Sequence, residues 1–494
     1  MEHPGYMAAY VQDTAFANAN VDASEMAKET DPLIAEVRVV PASLLGLLTA
    51  PPGWHQWRAV LVIGLGVLSV IATWIMQPVF VNPLLQADSP AFTKAVLGLL
   101  SSLQFLSWGI GATVFSTLAD RLGRKAVLRW TIPAAAIASI LAAAPLPAPL
   151  PASVLGLDPL VLQQAASRLG LGLFIGGTAA PAYPLLMECV PAGWRSPLTV
   201  LIACTWAGCA CLAAGVAYLL RAQGWRLLLL VFAAPNLLAW LALGALIPES
   251  ALQRADAGRP GAAAGIVRRA CADNGRPLPP GVAEEAALAA ATAATQAKAS
   301  AGGGGFGQLL SAPLWRTTVA LCFCWFSVTL IYYGLSFAVG SLVGGLYFDS
   351  AILSLSDIPG NLGWLVLADH PRVGRRGAMI GFFLLSGTCL AGLPLLPLLG
   401  YKEGWRQQAL AVVGKIGAAA AFNGVYVLSA ECFPTSVRAT ALGCCNLFAR
   451  AGGVLAPILA ELGLDAIALS FCALSAAAAA LTWCWLPETL GRSL

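Results

Sequence analysis

Asp120-Arg121-Leu122-Gly123-Arg124-Lys125 closes one apolar run and opens the next, and its pattern returns 249 residues later as Asp369-His370-Pro371-Arg372-Val373-Gly374-Arg375-Arg376. Working outward, Glu188-Cys189-Val190-Pro191-Ala192-Gly193-Trp194-Arg195 is echoed by Glu431-Cys432-Phe433-Pro434-Thr435-Ser436-Val437-Arg438, and Pro248-Glu249-Ser250 by Pro487-Glu488-Thr489, at offsets of 243 and 239. Three landmarks that keep their order and nearly their spacing mark an internal duplication. Each pair follows apolar segments of the same parity, so both copies face the same side of whatever these segments cross, which is the signature of a parallel repeat.

The segments cross a bilayer. A hydrocarbon core of about 30 Å needs about 20 apolar helical residues per crossing. By that measure apolar segments lie near 59–80, 94–118, 126–145, 161–184, 197–220, 225–247, 315–340, 347–368, 377–398, 405–430, 438–460 and 465–486. The composition agrees: 58% of residues are hydrophobic and only 11% charged, against about 25% charged in soluble chains. The fold class predicted is all-α and polytopic, with twelve transmembrane helices in two pseudo-symmetric six-helix halves. The layout is an acidic tail at 1–56, an N-terminal half at 57–247, a linker at 248–312, a C-terminal half at 313–486 and a short tail at 487–494. Within the linker an Ala-rich stretch around Glu284 and Glu285 reads as a surface helix, and Gly302 to Gly305 as loose.

Several classes drop out at this point. A net charge of +4 implies no nucleic-acid partner, and three scattered His residues form no metal cluster with the 13 Cys, most of which sit inside apolar runs as free thiols. Gly302 to Gly305 lacks the Lys-Ser/Thr of a phosphate loop, no catalytic dyad appears in any span, and no cofactor or enzyme activity is expected. The acidic N-terminal tail is neither a signal nor a transit peptide. Placing it in the cytosol puts 20 of the 28 Lys and Arg on that side and five on the other, so both termini are expected to be cytosolic. Glu29, Leu33 and Ile34 fit an acidic dileucine pattern read by sorting adaptors, which makes the plasma membrane or a vacuolar or endolysosomal membrane the expected location. A monomer suffices for all of this.

Charges inside the spans cost several kcal/mol unless paired or facing a wet cavity. They are Arg168 in span 4, Asp357 in span 8, Lys415 in span 10 and Arg450 in span 11. Counting residues from the helix ends places Lys415 and Arg450 roughly 15 to 18 Å deep, so the C-terminal half is expected to enclose an electropositive cavity. Lys415, Phe422, Asn423 and Tyr426 share a helical face, and Trp206, Trp325, Tyr332 and Tyr333 offer further aromatic surface to it. Mutual neutralisation of Arg450 and Asp357 is the structural alternative. At the span ends, the repeated sets Asp120, Arg121, Gly123, Arg124, Glu188, Arg195 and Glu249, and Asp369, Arg375, Glu431, Arg438 and Glu488, read as latches that would gate the cytosolic mouth; topology and helix capping are the plain alternative.

The Asp120 to Lys125 motif and the six-plus-six layout resemble the major facilitator superfamily. Trp225-Arg226, Pro248-Glu249-Ser250, Gly258-Arg259, Asn274 to Pro279, Trp325-Phe326-Ser327, Tyr332 to Ser336, Gly414-Lys415, Glu431 to Thr435 and Arg438 look like the organic cation, organic anion and carnitine transporter family, related to the sugar porters, over about residue 57 to the end. Arg168 with Gly170, Gly172, Gly176 and Gly177 resembles the superfamily's span-4 motif, for which close helix packing is the plain reading.

The resemblance implies a secondary or facilitative transporter working by alternating access. It implies that a basic residue at Arg450 suits anion or carnitine carriers, while Asn361 stands where some anion carriers have Lys. A small organic anion or zwitterion is the expected solute, with sugar or organic cation as the alternative and a non-transporting receptor or vesicle protein as the reading from another class. This sequence departs from animal members in having a short loop around Asn82 to Ser89 and no Asn-x-Ser/Thr sequon. It departs from proton-coupled sugar porters in having only Gln77 as a notable polar group in span 1.

Overall fold

The computed structural model describes residues 53–145, 158–191, 194–275, 281–285, 287–288, 291–292, 306–312, 314–338, 344–400, 404–462 and 464–491. The tail carrying Glu29, Leu33 and Ile34 and the run Gly302 to Gly305 lie outside them. Twelve helices are long and apolar enough to cross a membrane: Trp54–Asp88, Lys94–Leu122, Arg124–Ala143, Pro159–Cys189, Pro197–Leu219, Trp225–Leu246, Trp315–Phe337, Leu346–Ala368, Gly374–Leu398, Gly404–Cys432, Thr440–Ala460 and Ala466–Trp485, here spans 1 to 12. Among the described residues there is no strand. The all-α architecture read from the sequence is therefore the one observed.

Within each half the spans pack where small residues let backbones approach. Gly111 of span 2 lies against the Leu173 backbone of span 4, and Gly172 and Gly176 lie against the backbone of span 2 at Gln104 and Trp108; a Cβ at any of them would enter the neighbouring helix. The span-4 glycines are thus packing surfaces. Spans 3 and 6 pack on their own half and on each other, away from the seam between halves. The halves meet through span 2 against span 11 and span 5 against span 8.

Span 1 is longer than its apolar core predicts. Its helix runs on through Pro78 and Pro83 to Asp88, which leaves only a few residues before span 2 in place of the loop expected from Asn82. Prolines are tolerated in buried transmembrane helices because neighbouring helices re-satisfy the freed carbonyls, and Pro78 lies within a fully buried stretch. Span 8 is interrupted instead, as Leu346–Leu355 and Asp357–Ala368 with Ser356 between them.

The linker is not a bare connection. Helices Ala251–Asp256 and Pro260–Asp273 form a small core of their own around Ala263, Ala264, Val267 and Cys271, and residues 282–285 are helical, with Glu284 bridged to Arg268 at 2.8 Å. This unit docks on the start of span 1: Arg58 Nη2 donates to Asp273 Oδ2 at 2.7 Å, Asn274 Nδ2 to Gln56 Oε1 at 2.9 Å, and the His55 amide to Asn274 Oδ1 at 2.9 Å. Burial alone would raise the Asp273 carboxyl, but hydrogen bonds from His55 and Arg58 hold it below its usual range.

Candidate functional site

The in-span charges of the C-terminal half do not share one partner. Lys415 is only 1% exposed; its Nζ donates to the Tyr332 carbonyl at 2.8 Å and to Ser336 Oγ at 2.6 Å, and lies over the Tyr332 ring. The Tyr332 hydroxyl in turn donates to Asp357 Oδ2 at 2.5 Å, while Asp357 Oδ1 is buried without a hydrogen bond. Lys415, Tyr332 and Asp357 therefore form one buried cluster that links spans 7, 8 and 10. The break at Ser356 makes Asp357 the first residue of a new helical segment, where its carboxylate meets the positive end of the peptide dipoles.

Arg450 stands apart. It lies at the seam between halves, with its guanidinium 4.2 Å from the centre of the Trp108 ring of span 2 and Nη2 donating to Asn446 Oδ1 at 3.2 Å. Gly109 is the residue that leaves room for its side-chain stem. Among the described residues it has no ion pair, and Asp357 is turned to Tyr332 and Lys415 rather than to Arg450. The reading in which Arg450 and Asp357 neutralise each other is therefore replaced. Lys415, which the helical face places toward the cavity, is already engaged inside its own half, because a dry ammonium needs its hydrogen bonds met by fixed partners.

The aromatics close around this seam. Tyr333 packs on Phe105 at 4.8 Å across the halves and on Tyr332 at 5.1 Å, Phe422 reaches Tyr332 at 5.3 Å, and Tyr426 meets Trp325 at 4.4 Å. Trp206 of span 5 is half-buried against the same core as Tyr332. Asn423 donates to Asn361 in a short contact. So Tyr332, Tyr333, Phe422, Asn423 and Tyr426 do come together, whereas Trp325 is fully buried and hydrogen-bonded to Ser429, a packing role. Reading the sequence for charge misses Trp108, Asn446 and Ser336; the i, i+4 spacing of Asn446 and Arg450 is the signal that finds one of them.

Arg168 occupies the matching depth in the N-terminal half. It is 1% exposed, and its Nη2 donates to Asn82 Oδ1 at 2.9 Å and its Nη1 to Gln104 Oε1 at 3.5 Å. Its partners are neutral amides, and Asn82 comes from the part of span 1 that the sequence assigns to a loop.

At the end of the bundle that carries the Asp120 and Asp369 motifs, here the motif end, each half builds the same network within itself. Arg124 pairs with Glu188, and Glu249 accepts from the amides of Lys125 at 2.8 Å and Ala126 at 3.2 Å. Arg375 pairs with Glu431 and reaches Asp369 at 3.4 Å, and Glu488 accepts from the amides of Arg375 at 3.0 Å and Arg376 at 3.2 Å. Gly123 and Gly374 have φ of 111° and 68°, and a Cβ at either would strike the glutamate it faces. Asp120 and Arg121 are exposed, and among the described residues Arg195 joins neither network and Arg438 donates to the Phe433 carbonyl at 3.1 Å. In this conformation, among the described residues, the ion pairs of these motifs are made inside each half and none crosses between the halves.

The contacts between halves lie toward the other end. Ser102 Oγ donates to the Val454 carbonyl at 2.6 Å, Gly98 faces Pro457 and Ile458, and Phe80 stacks on Tyr347 at 6.1 Å. Among the described residues, two like halves thus meet around Arg450 and toward the end opposite the motifs.

A family model described as "Sugar (and other) transporter" matches residues 64–494. Solute carrier family 22 member 15 of Xenopus tropicalis is 32% identical over 80% of this chain and 70% of its own length. Solute carrier family 22 member 13 of Homo sapiens is 31% identical over 78% of this chain and 65% of its own length, and an organic cation transporter protein of Drosophila melanogaster is 30% identical over 80% and 69%. Among solved structures, the proton:xylose symporter XylE bound to 6-bromo-6-deoxy-D-glucose superposes with a TM-score of 0.68 at 16% identity, over 89% of this chain and 98% of that one.

Proposed function

Because the chain belongs to the family of sugar and other transporters, in the branch of the major facilitator superfamily that holds the organic cation and organic anion transporters, we propose that its solute is a small organic anion or zwitterion bearing a carboxylate. Arg450 carries this reading. Lys415 is held inside its own half by the Tyr332 carbonyl and Ser336, whereas Arg450 stands between the halves on the face of Trp108, with Asn446 as its hydrogen-bond partner and no ion pair among the described residues. A carboxylate brought beside it gains charge-assisted hydrogen bonds to a planar guanidinium. Tyr333, Phe422 and Tyr426 supply apolar and hydroxyl surface for the rest of the solute. Lys415 supports the site indirectly, by holding Tyr332 and Asp357 in place. With Arg450 as the one cation at the seam among the described residues, monoanions and zwitterions fit better than dianions.

The same reading carries the layout: a tail at 1–56, halves at 57–247 and 313–486 joined by the linker at 248–312, and the motif end with both termini in the cytosol, where 20 of the 28 Lys and Arg fall.

The test is uptake into proteoliposomes of labelled monoanion, dianion, zwitterion, cation and hexose panels. The expected result is preference for a monoanion or zwitterion and a loss of roughly ten- to hundredfold in apparent affinity for Arg450→Ala, the worth of a charged hydrogen bond. Preference for permanent cations or hexoses, or unchanged uptake in Arg450→Ala, overturns the assignment.

A further inference from the structure

The outer surface of the N-terminal half holds a pair of cations that the transport cycle leaves unused. Among the described residues span 3 packs chiefly on spans 2, 4 and 6 of its own half, which leaves its far side turned out of the bundle, toward lipid in a membrane. Trp130 on that side is 79% exposed, and Ile137 and Leu141 continue the stripe deeper into the bilayer. Arg129 stands on the same surface five residues after Arg124, about 8 Å in from the start of the helix. Its side chain makes no hydrogen bond or ion pair among the described residues. Lys125 lies one turn closer to the end and donates to the Gly244 carbonyl of span 6 at 3.1 Å, and the Trp240 indole of span 6 donates to the Arg129 carbonyl at 2.9 Å. Lys125 and Arg129 thus stand at the motif-end mouth of the seam between spans 3 and 6, with Trp240 at the seam and exposed Trp130 next to Arg129 on span 3. The one carboxylate beside them, Glu249, is held by the amides of Lys125 and Ala126.

A guanidinium with five free donors on a lipid-facing surface costs free energy unless an anion meets it. At this depth the anion available is the phosphate of a lipid headgroup, with tryptophan indoles at the same level and apolar side chains below for the acyl chains. The duplication supplies an internal control. Lys125 and its bond to Gly244 correspond to Arg376, which bonds to the Trp483 carbonyl and lies 5.1 Å from the centre of the Trp483 ring. The position matching Arg129 is the half-buried Ile380, so the C-terminal seam has one cation, already engaged, where the N-terminal seam has two.

We propose that the seam between spans 3 and 6 at the motif end is a binding site for the phosphate of an anionic phospholipid, with Arg129 and Lys125 as its cations and Trp130 and Trp240 as its walls.

The full-length protein, reconstituted with phosphatidylcholine and phosphatidylglycerol and then gently extracted, is weighed by native mass spectrometry to count retained lipids. Selective retention of phosphatidylglycerol is expected, reduced roughly fivefold in Arg129→Ala, as one interfacial cation near an anionic lipid warrants, and restored in Arg129→Lys. Ile380→Arg should add a second retained phosphatidylglycerol, a readout that stands even if Arg129→Ala fails to fold. A parallel arm follows thermal stability with phosphatidylglycerol or inorganic phosphate, and only the lipid should protect. Equal retention of the two lipids, retention indifferent to Arg129→Ala and Ile380→Arg, or protection by inorganic phosphate alone overturns the proposal.

Discussion

A single buried charge tests how well the N-terminal half is built. Arg168 has no carboxylate beside it among the described residues, so its charge is met by the Asn82 and Gln104 side-chain oxygens alone. Removing one of two oxygens from a buried guanidinium leaves a donor unmet, worth about 1–3 kcal/mol. Asn82→Ala should therefore lower the thermal midpoint of the purified protein distinctly, while Asn82→Asp, which supplies an opposite charge, should not. Equal midpoints for wild type and Asn82→Ala would mean that Arg168 is satisfied elsewhere. The pair also marks where reading the sequence stops short. Arg168 announces itself as a charge in an apolar run, but Asn82 sits between Pro78 and Pro83, two local signals for a break that packing overrides. In the same way the sequence names Lys415, Asp357 and Arg450 as the costly charges, yet says nothing of which one is engaged. That depends on where Tyr332 places its carbonyl and hydroxyl, a tertiary fact.

Among elements, span 2 and span 11 form a main contact between the halves in this conformation. They touch along one side of the seam, from Gly98 against Pro457 and Ile458 to Gly109 against the stem of Arg450, with Phe105 on Gly453 between. A Cβ at Gly98 would already sit 3.6 Å from the Ile458 Cα and the Pro457 carbonyl, so a bulky side chain there cannot be accommodated while the two spans stay in contact. Overpacking of this kind costs about 1–3 kcal/mol, enough to shift a two-state equilibrium by one to two orders of magnitude. Gly98→Trp should fold, lose uptake, and make a cysteine introduced at Ser102 more reactive to a membrane-impermeant thiol reagent added from the end opposite the motifs. Labelling at Ser102→Cys that does not change on adding Gly98→Trp would show that these spans do not part. Small-residue packing was legible in the glycines of span 4 but not at Gly98 or Gly109, since a contact between spans nine apart in order leaves no local trace.

For the molecule as a whole, the duplication seen in Asp120 to Lys125 and Asp369 to Arg376 survives as duplicated geometry, down to the glutamate that caps the following helix in each half. Those networks stabilise the halves separately. What joins the halves in this conformation lies elsewhere, at the seam around Arg450 and at the end opposite the motifs. Asp120 is exposed and has no ion pair among the described residues, and we propose that it acts in an alternate conformation in which the motif end closes. Two expectations separate this from a purely structural role. Asp120→Asn should leave thermal stability within about 0.5 kcal/mol of wild type, as for a surface substitution, yet slow uptake by disfavouring the closed motif end. Glu249→Gln, which weakens a charged cap on two amides within one half, should instead lower stability by about 1–3 kcal/mol. Wild-type uptake by an Asp120→Asn protein that reaches the membrane in normal amount would remove the gating role and leave topology and helix capping as sufficient reasons for the motif.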